Sequence, residues 1–139
     1  MSTIIILLYI TGSSAQNQNI KVSVKITVDA ENSEIYRDKL ISFINRELRT
    51  LGDIEVVESN EDFQLMILCM QNFRRTQNIN SLTISALSLM SIYWQGENVF
   101  AYFDITMFTT NKDVLKSTSQ DIVAWFDTNT LEKFRGLKK

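Results

Sequence analysis

A two-layer α/β sandwich of the α+β kind is the fold that this chain predicts, with the order β-α-β-β-β-β-α and both helices on one face of a mainly antiparallel sheet. Three features carry that expectation. "IKVSVKITVD" alternates apolar and polar residues without error, the stretch from Asp29 to Asp53 switches to a helical period, and two long strand-like stretches flank a short turn before a helical end. Across 139 residues, 45% apolar and 22% charged content is that of an ordinary globular protein, so one core is expected.

In the first strand, Ile20, Val22, Val24, Ile26 and Val28 share one face, and Lys21, Ser23, Lys25, Thr27 and Asp29 share the other. That is the period of a half-buried strand. In the helical stretch, Ile35, Tyr36, Leu40, Phe43, Ile44, Leu48 and Leu51 form an apolar stripe, with Arg37, Lys39, Arg46, Glu47 and Arg49 toward solvent. The helix is expected to start near Asn32 or Ser33 and to stop at Gly52, where a left-handed residue can close it.

"DIEVVES" reads as a short strand and "EDFQLMILCMQ" as a longer one. The longer strand carries Phe63, Leu65, Ile67 and Cys69 on one face and Met66, Leu68 and Met70 on the other, which predicts a central strand covered on both sides. "NFRRTQNINS" is polar and reads as a loop. "LTISALSLMSIYW" and "VFAYFDITMF" then flank "QGEN", whose Gly96 and Asn98 predict an antiparallel hairpin. Leu82, Ile84 and Ala86 share a phase that Leu87 and Leu89 leave, so a β-bulge is expected near Ala86. At the end of the chain Ile122, Val123 and Phe126 form a helical stripe. Asn129 with Glu132 predicts a capping box that starts a second short helix bearing Leu131 and Phe134, and Lys138 and Lys139 suit the negative end of a helix dipole.

"MSTIIILLYITGSSAQNQN" has the layout of a signal peptide: an apolar run from Ile4 to Ile10, then small residues, then a polar stretch. Residues 1–15 are expected to be removed after Ala15, leaving residues 16–139 as a single exported domain in the periplasm or outside the cell, with no transmembrane segment. Cys69 is then a lone cysteine in an oxidising compartment, and its place in an apolar strand predicts a buried, inert thiol.

With those elements placed, "YRDKLISFINRELRTLGDIEVVESNEDFQLMIL" followed by "TISALSL" resembles a group of uncharacterised exported bacterial domains. In that group an "REL…LGD(V/I)" helix end leads into a strand, an acidic aromatic step and a central strand. More distantly, the layout is similar to the first domain of the periplasmic Tol translocation protein and to curli-secretion lipoproteins. The resemblance implies this fold and an envelope compartment, and it brings no activity with it.

Several chemistries are closed to the chain. It has no histidine, so histidine-based triads, histidine-ligated zinc and the His-carboxylate iron site are excluded. Its four glycines form no phosphate-binding loop, and no cofactor is expected. Asp53, Glu55, Glu58, Glu61 and Asp62 are acidic neighbours without the spacing of a calcium loop, so no metal is expected. A net charge of -2 gives no field to hold nucleic acid. Arg74 and Arg75, in the polar loop, are candidate contacts.

The residues left over are those of a second apolar sheet face: Met66, Leu68 and Met70 from the central strand with Phe100, Tyr102, Asp104 and Phe108 from the last, bordered by Lys21 and Lys25. Val99, Ala101, Phe103, Ile105 and Met107 are expected to face the helices. Three outcomes are open for the second face. The C-terminal segment with Trp125 and Phe134 wraps round to cover it, or it is the surface that meets a protein partner or a second copy, or it takes a small apolar ligand. The expected role is a non-catalytic exported binding or assembly module that uses the sheet face or a strand edge. The alternative is a small-ligand carrier or enzyme with a pocket between the sheet and the C-terminal helix.

Overall fold

The computed structural model describes residues 21–31, 34–72 and 81–137. The stretch expected to be a signal peptide, the expected helix start at Asn32 or Ser33, the expected loop with Arg74 and Arg75, and Lys138 and Lys139 lie outside the described residues. The elements run in the expected order: β1 (Val22–Ala30), α1 (Glu34–Thr50), β2 (Ile54–Val56), β3 (Phe63–Gln71), β4 (Ser81–Trp94), β5 (Glu97–Asn111), α2 (Leu115–Phe126) and α3 (Glu132–Leu137). One mixed sheet has the strand order β2-β1-β3-β4-β5. β1 runs parallel to both of its neighbours, while β3, β4 and β5 pair antiparallel over longer stretches.

The alternation of β1 sends Val22, Val24 and Val28 into the core, and β3 adds Phe63, Leu65, Ile67 and Cys69. The helices lie on this face. α1 contributes Leu40, Ile44 and Leu48, spaced by four as a helix facing one surface requires, and α2 contributes Leu115, Ile122, Val123 and Phe126. Gly52 has φ +77°, the left-handed residue that ends α1 and lets the chain turn into β2. The β4–β5 hairpin closes through Gln95 (φ +49°) and Gly96 (φ +86°), between the paired Trp94 and Glu97. Two consecutive left-handed residues make the tight turn whose twist matches a hairpin.

At the heart of the core the Phe63 ring, fully buried, meets three others edge-on: Phe134 at 5.1 Å, Phe103 at 6.1 Å and Phe126 at 6.3 Å between centroids. These rings draw β3, β5, α2 and α3 onto one point and fill the space between the sheet and the C-terminal helices. Trp125 and Phe134 both pack against this core. The C-terminal segment therefore stays on the helix side and does not wrap round to the other face.

The junction after α2 also departs from expectation. No capping box forms there. Instead, residues Asp127–Leu131 make a π-type turn that joins α2 to α3 without a break, and the Asn129 amide donates back to the Trp125 carbonyl at 2.9 Å. The wider turn places Thr130 and Leu131 inward, where the Thr130 hydroxyl donates to Ser88 Oγ at 3.0 Å with both residues fully buried.

Candidate functional site

The expected second face exists, with different members on its far strand. In the β3–β4–β5 ladder, Ser88 pairs with Asp104 but the next residue, Leu89, pairs with Tyr102. Phe103 is thus an extra residue on β5, a β-bulge, and it turns its ring into the core. Because side chains alternate with a period of two, one inserted residue exchanges the faces of all that follow.

Phe100 and Tyr102 stay on the outer face as expected. Beyond the bulge, Ile105 and Met107 point outward in place of Asp104 and Phe108, which share the helix side with their partners Ser88 and Ile84. The bulge lies on β5 at Phe103 and not on β4 near Ala86. In β4, Leu82, Ile84, Ala86, Ser88 and Met90 keep a single inward phase, and Leu87 and Leu89 belong to the outer face.

The outer face divides across its width. Over β1 and β2 it is polar, with Ser23, Lys25, Thr27, Asp29 and Glu55, and Gln64 of β3 donates to the Thr27 hydroxyl at 2.8 Å. Over β3, β4 and β5 it is apolar. Leu68 is 43% exposed, Met70 51%, Tyr102 60%, Ile105 50% and Met107 66%, around the half-buried Met66, Leu87 and Leu89. No described element lies over these residues, since α1, α2 and α3 occupy the opposite side. Large apolar side chains exposed in one contiguous group mark a contact surface more often than a solvated one.

Asp104 is the charged residue of this region. Its carboxylate accepts the Ile105 backbone N–H at 2.8 Å. A charge turned inward on an edge strand, beside a bulge, is a device that blunts the edge against pairing with another strand.

The acidic neighbours on the other side of the sheet have separate structural tasks. Asp62 Oδ2 accepts the Ser23 N–H at 2.9 Å and the Ser23 hydroxyl at 3.1 Å, which ties the start of β3 to β1. Asp53 takes two hydrogen bonds from Arg135, at 2.6 Å and 2.8 Å, and Asp127 takes a third at 2.7 Å. The bonds from Arg135 hold the Asp53 carboxyl below its ordinary value, and the same bonds, with Asp53 first, raise the guanidinium further above its own. This clamp fastens α3 to the turn between α1 and β2. It was not visible in the sequence, where its partners are 82 residues apart. No group of three metal-ligating side chains occurs among the described residues. Cys69 is buried, and burial pushes its thiol up, away from the reactive thiolate.

A mixed five-stranded sheet with helices on one face and an apolar, uncovered stretch on the other defines an α+β sandwich whose distinctive surface is its sheet. No family model matches the chain, and no curated protein matches it. Among solved structures it is similar to a Xanthomonas campestris protein of the DUF330 family model, at 14% identity and a TM-score of 0.59, covering 86% of this chain and 93% of that one. It is also similar to PelC from Paraburkholderia phytofirmans, described as a dodecamer (10% identity, TM-score 0.46, 78% and 86% covered). A third is the rare lipoprotein B of Shewanella oneidensis (10% identity, TM-score 0.37, 83% and 99% covered). At 14% identity, the likeness to the Xanthomonas campestris protein is one of fold alone. No helix among the described residues is long and apolar enough to cross a membrane.

Proposed function

We propose that this protein is a non-catalytic module of the bacterial cell envelope, exported by its N-terminal segment, that works by binding another protein through the outer face of its sheet. The observation that carries this reading is the contiguous exposure of Leu68, Met70, Tyr102, Ile105 and Met107 on a face that no described element covers. Large exposed apolar side chains on a sheet suit a protein contact, because the backbone beneath them is already ordered and only side-chain freedom is lost when the surface is covered. The polar β1–β2 margin forms a rim beside the apolar stretch, the usual anatomy of such a patch.

A catalytic or ligand-carrying role would need a pocket between the sheet and the C-terminal helices. The rings of Phe63, Phe103, Phe126 and Phe134 occupy that space, which favours the binding reading.

Site-specific photo-crosslinking tests it. A crosslinker replacing Met107 or Leu68, in cells producing the full chain, is expected to give a discrete protein adduct in the envelope fraction. The same group at Lys116 or Lys39, exposed on the helix side, is expected to give none. Adducts of equal yield from both sides, or recovery of the chain in the cytoplasm, would contradict the proposal.

A further inference from the structure

The sheet has a second unfilled position, on the edge opposite β5. β1 continues to Ala30, but β2 pairs only with Val22, Ser23 and Val24. Individual hydrogen bonds show which way the rest of β1 points. The Val22 N–H donates to Asp53 and the Val24 carbonyl accepts from Val57, both on the β2 side, whereas the Ser23 carbonyl accepts from Asp62 on the β3 side. Even-numbered residues of β1 therefore turn their backbone groups toward the lane of β2. The N–H and C=O groups of Ile26 and Val28 face the part of that lane which no described strand fills.

That space is a groove of about 350 Å³ with a built wall on each side. Ile26 and Val28 form one wall, and Arg37, Ile41 and Asn45 of α1 form the other, with Val57 at the end where β2 stops. Among the described residues, Asn45 Oδ1 is buried without a hydrogen-bond partner. A buried acceptor left unpaired is costly, and a donor that reaches it as the groove wall adjusts to a guest would relieve it. Arg37 and Glu58 line the groove, and Lys25, whose side chain stands on the outer face beside the same lane, gives its surroundings a positive balance.

We propose that this groove receives an extended peptide strand bearing an acidic side chain, added to the edge of β1 in the lane that β2 leaves. Main-chain pairing with Ile26 and Val28 supplies the affinity, as in other strand-addition sites. An apolar guest side chain packs on Ile41, the acidic one meets Arg37 or Lys25, and a guest donor reaches Asn45 Oδ1. The β5 edge is unsuited to the same use, since the Phe103 bulge interrupts it and Asp104 already holds the Ile105 N–H. This site is separate from the outer face and does not depend on it.

The test titrates the isotope-labelled full chain with an acetylated, amidated Val-Glu-Val-Glu-Val peptide, with its counterpart methylated on alternate amides, and with Val-Lys-Val-Lys-Val. The first peptide is expected to shift the amide resonances of Ile26 and Val28 and to slow their hydrogen exchange. The methylated form should bind at least about tenfold more weakly, because its strand-pairing donors are gone. Asn45→Leu, which removes the unpaired acceptor, should fold normally and weaken binding about fivefold. Ile26→Pro should abolish it, since the ring removes the N–H that pairs with the guest, and the fold should survive because that edge N–H serves no ladder bond.

Shifts that spare Ile26 and Val28, or equal affinity for the methylated peptide, would overturn the proposal. Equal affinity for the lysine peptide would overturn its acidic preference. If Ile26→Pro fails to fold, the peptide pair and Asn45→Leu still decide the matter.

Discussion

Replacing Phe63 by leucine removes the ring on which the sheet and the C-terminal helices converge. The side chain is fully buried and stands edge-on to Phe134, Phe103 and Phe126 at 5.1, 6.1 and 6.3 Å. Each such pair contributes about 0.5–1.5 kcal/mol beyond the area it buries. Leucine keeps much of the apolar contact but loses the three ring edges and leaves a small void, for a combined cost of roughly 2–3 kcal/mol. With a urea slope of about 1–3 kcal/mol per molar, the unfolding midpoint should fall by roughly 0.7–3 M. Met70→Ser, at a half-exposed site on the opposite face, is the control and should change stability by no more than about 0.5 kcal/mol. Equilibrium urea unfolding followed by tryptophan fluorescence and by far-ultraviolet dichroism measures both. A cost below about 0.5 kcal/mol for Phe63→Leu would refute the claim that these rings join the two layers.

Other consequences can be checked by the same methods. Because Arg135 lowers the Asp53 carboxyl from 3.8, the stability it contributes is present above that value and is lost as pH falls through the folded-state value. Asp53→Asn should therefore be less stable than the parent near neutral pH, by about 0.5–1 kcal/mol once solvent screening of these part-exposed groups is allowed for. The gap should close below pH 3.8, and a gap that widens in acid would contradict the clamp. Ser88→Ala and Thr130→Val each leave a buried hydroxyl without its partner and should cost about 1–2 kcal/mol. The double variant should cost clearly less than the two together, and strict additivity would show that the hydroxyls do not interact.

What the sequence made legible was what depends on local periodicity. The faultless alternation of β1, the spacing of Leu40, Ile44 and Leu48, and Gly52 at the end of α1 each follow from contacts within a few residues, and all took their expected places. The face assignment of β5 failed for a specific reason. A bulge at Phe103 inserts one residue without changing composition, and on each side of it the alternation remains regular. Asp104 among apolar neighbours was the one local sign, since a carboxylate at a bulge can hold the chain's own N–H. The double apolarity of β4 suggests a phase slip in the sequence, but it reflects a strand with a core on one face and an apolar surface on the other. The Arg135–Asp53 clamp and the unpaired half of β1 arise from residues brought together by topology, and no short-range pattern marks them.

Methionine oxidation tests most directly whether the outer sheet face is bare in the single chain and covered in its working state. Met70 and Met107 are 51% and 66% exposed on that face, while Met90 packs against the core. Dilute peroxide followed by peptide mass spectrometry should oxidise Met70 and Met107 of the purified chain well ahead of Met90, since exposure governs the rate. In intact cells, the same two residues should be protected relative to the purified chain. Oxidation of Met70 and Met107 as slow as that of Met90 in the purified chain would contradict an uncovered face, and equal rates in cells and in isolation would contradict a bound partner.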